Sequence, residues 1–290
     1  MPGPSNSQLT RFHAFRLRLE RHKPSSRFTA FLWEFGLFVF KQAWSCLFGG
    51  LLLALVLGTR LFWPHHAWLA RYDFLFLAAL LIQVLLLAFR METLREAKVI
   101  LMFHVIGTLM ELFKTHVGSW TYPEANLFRL GHVPLFSGFM YASVGSYLAR
   151  VWRALDFRFS HYPDRRLTYG LALLIYANFF THHYLPDLRW LLFAAVACLY
   201  GRTWVYYKPY RAYRRMPLLL GFALVALFIW IAENAGTFGN IWVYPDQHSA
   251  WHIVHFTKFG AWFLLMIISF ILVSLAHIPQ AEGGVSTGAA

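Results

Sequence analysis

Eight apolar stretches, separated by short segments that hold most of the charge, limit what this chain can fold into more than any other feature. They cover roughly residues 35–58, 74–89, 99–113, 133–149, 167–181, 190–206, 216–232 and 253–276. A membrane-crossing helix needs about 20 apolar residues. The first and last stretches meet that length easily. The third and sixth are short or interrupted by polar residues, and each alone would suit a re-entrant or buried segment. Only 13% of the 290 residues are charged and 58% are apolar. Soluble domains carry about twice that share of charge, so most of this chain must find surroundings other than water. The expected fold class is all-α: a polytopic membrane bundle of about eight transmembrane helices.

The basic residues orient such a bundle. With the N-terminus in the cytoplasm, 20 of the 26 Lys and Arg residues fall in inner segments. The outer segments hold only Arg60, Arg71, Lys114, Arg129, Arg189 and Lys258. This is the positive-inside pattern at every turn, and an even number of spans puts the C-terminus in the cytoplasm as well. The net charge of +13 is then explained by an anionic leaflet, and no nucleic-acid partner is needed. Cys46 and Cys198 both lie in apolar runs, which excludes a disulfide framework. The expected organisation is a basic cytoplasmic arm over 1–34, helical around Leu9–Arg21, then a transmembrane bundle over 35–278 and a disordered tail over 279–290.

The bundle carries a duplicated motif. Glu111, Thr115, Trp120, Tyr122, Pro123 and Glu124 recur at an offset of 122 as Glu233, Thr237, Trp242, Tyr244, Pro245 and Asp246. The offset also relates Gly138 to Gly260. A four-plus-four parallel repeat follows, about 35–150 and 151–278, with an even number of spans in each unit. Each copy places an acid at the end of an apolar segment, where a charge is costly unless it is used or neutralised.

The candidate catalytic residues are Glu111, Glu233, Lys114 and Asn234. Lys114 lies three residues beyond Glu111, at ion-pair spacing on a helix. Position 236, its counterpart, is Gly. One acid would then be held ionised and the other protonated, as acid/base work requires. The structural alternative is that both acids cap the loops after them, accepting hydrogen bonds from backbone and from the Trp indole. Trp120, Tyr122, Glu124, Trp242, Tyr244 and Asp246 are candidate substrate-binding residues. The aromatic ones equally suit the membrane interface. His182, His183 and Asp187 could ligate a divalent metal, although adjacent histidines diverge on a helix. No other cofactor is expected, since nucleotide-binding loops and the nucleophile elbow are absent.

Several runs resemble a bacterial integral-membrane family catalogued as domain of unknown function number 817. They are Phe103-His-Val-Ile-Gly-Thr-Leu-Met-Glu-Leu-Phe-Lys-Thr115, Gly118-Ser-Trp-Thr-Tyr-Pro-Glu124, Asn178-Phe-Phe-Thr-His-His-Tyr184 and Ile229-Trp-Ile-Ala-Glu-Asn-Ala-Gly-Thr-Phe238. The resemblance covers about 31–278. It implies a bacterial inner-membrane protein and transfers no catalytic residues. Gly118-Ser-Trp120-Thr-Tyr122 after an acid is also similar to membrane carotenoid cyclases, which would imply an isoprenoid or other long lipid as substrate, although their Pro-x-Glu-Glu signature has no counterpart here.

Three functions fit these residues, all with membrane lipids as surroundings. The first is an enzyme that modifies a lipid or isoprenoid in an acid- and His-lined extracytoplasmic pocket. Glu233 would be its general acid, and Glu111 would hold Lys114. The second is a proton-coupled transporter or permease, and the third a non-catalytic scaffold. Oligomeric state is not legible in the sequence.

Overall fold

The structure is a computed structural model that describes residues 25–64, 66–276 and 280–281. The expected helix around Leu9–Arg21 and most of the expected tail lie outside the described residues. Helices α1 (Arg27–Ser45) and α2 (Leu47–Phe62) meet in a 66° bend at Cys46. They are followed by α3 (Arg71–Ala88), α4 (Leu94–His116), α5 (Ser137–Ala154), α6 (Arg165–Thr181), α7 (Arg189–Tyr200), α8 (Leu218–Phe238) and α9 (Thr257–Ala276). Each apolar stretch of the sequence contains most of one helix or of the bent pair.

By length and composition, three described helices could cross a membrane: α3, α8 and most of α9. The α1–α2 pair is a fourth if taken as one broken span. This is fewer than the eight expected. The reason lies in the residues that shorten or interrupt the others. α4 buries Glu96, Glu111 and Lys114, α5 buries Arg150, and α7 has only 12 residues.

The chain is not purely helical. Strands β1 (Arg129–Leu130) and β2 (Val133–Pro134) pair in a short hairpin. At the other end of the bundle β3 (Arg158–Ser160), β4 (Trp204–Tyr207), β5 (Arg214–Pro217) and β6 (Gln280–Ala281) form a sheet in the order β5-β4-β3-β6. The sixth apolar stretch therefore ends as helix at Tyr200, and Trp204-Val-Tyr-Tyr continues as strand. Its β-branched and aromatic residues suit a pleated surface better than a helix. Gln280–Ala281 runs parallel to β3.

α4 and α5 form the closest helix pair. A Cβ on Gly138 would lie 2.4 Å from Thr108 Oγ1, so only glycine lets the backbones approach this far. α4 starts with a reciprocal cap. Thr93 accepts from the Glu96 backbone, and the Glu96 carboxylate accepts from Thr93 N at 2.7 Å. The same carboxylate pairs with Arg153 of α5 at 2.9 Å. Such caps and packing fix where the C-terminal end of α4 points, and that end carries Glu111.

Candidate functional site

The ends of α4 and α8 are built alike. Gly118 (φ 71) and Asn240 (φ 55) both adopt the left-handed conformation two residues beyond their helices. Ser119 N donates to Lys114 O and Gly118 N to Thr115 O. Ile241 N donates to Gly236 O and Asn240 N to Thr237 O. This double closure by a left-handed residue satisfies the last helical carbonyls and turns the chain back. The two returning loops then meet. Thr121 and Val243 exchange backbone hydrogen bonds at 3.0 and 2.9 Å as an isolated antiparallel bridge. Those residues are 122 positions apart, at equivalent places in the motif.

Around Glu111 the returning loop closes a sealed shell. Trp120 Nε1 donates to Oε2 at 2.8 Å, Tyr122 OH to Oε2 at 2.7 Å, and Tyr141 OH of α5 to Oε1 at 2.8 Å. The side chain is 2% exposed. Tyr72 and Phe136 pack around Tyr122 and complete the seal. The expected Glu111–Lys114 pair does not form. Three O–H and N–H donors already occupy the carboxylate, and Lys114 turns toward α6. Its ammonium donates to His183 Nε2 at 2.8 Å and approaches His182 Nε2 at 3.4 Å. It also sits 4.2 Å from the centre of the Phe179 ring.

Glu233 has a different shell. Tyr244 OH donates to Oε1 and Trp262 Nε1 of α9 donates to Oε2 at 2.7 Å. Trp242, the motif counterpart of Trp120, does not reach the acid. Its ring lies over Gly236, where an added Cβ would stand 2.3 Å away. That close approach leaves room only for glycine at the position equivalent to Lys114. Although Glu233 is only 3% exposed, it lines a cavity of about 320 Å³ together with Lys114, Trp120, His182, Arg189, Tyr244 and Lys258. Glu111 is not among the lining residues. Tyr141, Trp262 and Leu265 also line a smaller, mostly apolar cleft of about 30 Å³ that reaches along α4, α5, α6 and α9.

The remaining candidates hold the loops in place. Asn234 donates to Trp230 O at 2.8 Å and accepts from Val254 N at 2.8 Å. It anchors the loop before α9 and does not reach the cavity. Glu124 pairs with Arg71 at 2.8 Å. Burial pushes the Glu124 carboxyl above its ordinary range, and Arg71 opposes that shift. Asp246 is exposed beside His252 at 3.5 Å. Asp187 takes Asn178 and the Arg189 backbone at 3.1 and 2.9 Å. Partial burial pushes its carboxyl up, but these hydrogen bonds outweigh burial and hold it below its ordinary value.

His182 and His183 do not diverge, because α6 ends at Thr181 and both lie in the turn after it. His182 Nδ1 donates to Asn178 O at 2.8 Å, which leaves Nε2 free to accept. Burial, then the nearby Lys114, lower the pKa of His183, so its neutral ring can accept the Lys114 proton. Both imidazoles thus face an ammonium. Among the described residues, no three His, Cys, Asp or Glu side chains are grouped as a metal shell requires. The sequence had not singled out Tyr141, Arg189 or Trp262. They come from helices outside the motif, and no spacing pointed to them.

A family model described as "Protein of unknown function (DUF817)" matches residues 34–270. The uncharacterized protein YoaT of Bacillus subtilis (strain 168) is 45% identical over 244 residues, covering 84% of this chain and 92% of the relative. Among solved structures, the mycobacterial Insig homolog MvINS from Mycobacterium vanbaalenii is similar, with a TM-score of 0.46 and 15% identity over 65% of this chain and 98% of that one. A cross-linked trimer of the same protein gives a TM-score of 0.45 with the same identity and coverage. Matched over most of its length by the family model and by the Bacillus relative, the chain belongs to the DUF817 family.

Proposed function

We propose that this chain is a multi-pass protein of the bacterial cytoplasmic membrane that modifies a lipid or isoprenoid by acid/base chemistry, with Glu233 as the acid. The observation that carries the reading is the different setting of the two acids. Glu111 is closed off by three donors, whereas Glu233 lines a cavity of about 320 Å³ and is held in one orientation by Tyr244 and Trp262. A carboxyl fixed at the wall of a ligand-sized space is placed to hand a proton to a bound group or to take one. A small apolar cleft continues from the same wall.

The topology belongs to the same proposal: eight segments crossing or entering the bilayer, four plus four, both termini inside and the cavity at the outer face. The Thr121–Val243 bridge and the matched turns at Gly118 and Asn240 support a parallel repeat about an axis along the membrane normal. An antiparallel bridge between equivalent residues is what such an axis produces. The apolar cleft weighs against a proton-coupled path. Below Glu233 it is lined by Phe103, Ile106, Met110 and Val144. The buried Glu92–Arg150 pair lies at the far end of α4 and α5.

The test is lipid extraction and mass spectrometry of a deletion strain, complemented either with the natural chain or with Glu233→Gln. The expected result is one lipid species that accumulates equally in the deletion and in Glu233→Gln and returns to normal with the natural chain. Identical lipid profiles in all strains would overturn the enzymatic reading.

A further inference from the structure

We propose that Lys114, Arg189 and Lys258 form a cradle for a phosphate-type anion, whether free or the head of an amphiphilic ligand. That the ligand is the substrate rests on the proposed function; the cradle itself does not.

Three helices bring these cations together: Lys114 at the end of α4, Arg189 at the start of α7 and Lys258 at the start of α9. All three line the cavity that Glu233 enters. Their number is informative. The positive-inside pattern leaves six basic residues in the outer segments, and three of the six meet here. Dispersed charges that only oriented the chain would have no reason to converge.

The cations are poorly neutralised by the protein. Among the described residues no carboxylate lies within ion-pair distance of the Lys114 or Lys258 ammonium. Lys114 is buried and faces two imidazoles and the Phe179 ring. Lys258 stands 4.3 Å from the centre of the Tyr244 ring and 5.9 Å from that of Trp120. Arg189 alone has a carboxylate, Asp187, at 3.2 Å. The one acid in the lining, Glu233, accepts from Tyr244 and Trp262 and is not within ion-pair distance of either ammonium. Partly desolvated cations that outnumber the acids near them are costly, and an anion entering the cavity would lower that cost.

Size and polarity narrow the ligand. Ligand sites span roughly 300–1,000 Å³, so a cavity of about 320 Å³ suits a headgroup or a small anion. Two ammonium groups and a guanidinium converging from separate helices suit a multiply charged tetrahedral group better than a planar carboxylate.

The experiment measures binding to the full-length protein in nanodiscs of neutral lipid. The probes are geranyl diphosphate, dihexanoyl phosphatidic acid, inorganic phosphate, pyrophosphate, geraniol and dihexanoylglycerol. The phosphorylated amphiphiles should bind at least tenfold more tightly than their neutral counterparts. Lys258→Gln and Arg189→Gln should each weaken that binding about tenfold or more, since each removes one charge-assisted contact. Lys258→Arg should restore it. Neutral amphiphiles should bind all variants alike. If the inorganic anions bind as tightly as the amphiphiles, the cradle stands and its source is a free anion. Equal binding of charged and neutral probes, or no response to Lys258→Gln in a variant that elutes as the natural chain does, overturns the cradle. A charge-dependent cradle with unchanged lipid profiles would leave this inference standing and remove the enzymatic reading instead.

Discussion

Glu111 and Glu233 start from the same motif, yet the protein surrounds them differently. Beside Glu111, Phe136 packs on Tyr122 with ring centres 6.3 Å apart. At the equivalent place beside Glu233, Lys258 lies 4.3 Å from the centre of the Tyr244 ring. An aromatic plug in one half thus corresponds to an ammonium in the other. Trp120 donates to Glu111, whereas Trp242 has moved onto Gly236 and Trp262 of α9 serves Glu233 instead. The first site holds its loop to the bundle. The second keeps the same turn but opens a space beside it. A buried acid at a helix end is thus no sign of function by itself; what matters is whether its neighbours leave room for a ligand.

The largest expected effect tests the sealed site against the open one. Glu111→Leu leaves Trp120, Tyr122 and Tyr141 without their acceptor inside the protein. At about 1 kcal/mol for each stranded donor, the loss of stability is about 3 kcal/mol. Glu233→Leu strands two donors beside a cavity, and its cost is about 2 kcal/mol or less, because water can enter. Thermal unfolding of the detergent-solubilised proteins, followed by size-exclusion recovery, reads the difference. Equal losses would mean that the two shells are equivalent and that the contrast is wrong.

Gly236→Ala is expected to cost about 1–2 kcal/mol, since the new methyl overlaps the Trp242 ring and must displace it. Lys114→Ala, at the equivalent position in the first half, meets no such ring. It should lower stability less while weakening anion binding. A Gly236→Ala protein as stable as the natural chain would show that Trp242 is free to move and that its present place does not define the second site.

Much of this arrangement is legible in the sequence, for local reasons. The 122-residue offset identifies both helix ends, because an acid, a left-handed turn and a returning aromatic pair are set by residues close together in the chain. The indole of Trp120 as a cap for Glu111 follows from the same spacing. What escapes is what arrives from elsewhere. Tyr141 and Trp262 sit on the following helices at positions that do not share the offset, and Arg189 reaches the cavity from α7. The Lys114 error has the same origin. Ion-pair spacing on a helix says that two side chains can meet, but three stronger donors from outside the helix had claimed the carboxylate. Strand β4 was hidden because the apolar stretch over 190–206 reads as one segment, although Gly201-Arg202-Thr203 interrupts it between helix and strand.

The smallest effect concerns the acids that close each motif. Glu124 pairs with Arg71, and Arg71 also donates to Gly239 O and Asn240 O at 3.1 and 3.0 Å. The first loop is thereby tied to the second through one buried guanidinium. Asp246, the equivalent acid, pairs with His252 at 3.5 Å, and both are exposed. Glu124→Gln should therefore cost about 0.5–1 kcal/mol, the range of a partly exposed ion pair, because Arg71 keeps its two carbonyl partners. Asp246→Asn should leave the melting temperature unchanged. The pair of measurements sharpens the contrast between the halves in a region away from both buried acids. If Asp246→Asn were the more damaging change, the second loop would be the one held in place, and the tie through Arg71 would count for less than the geometry indicates.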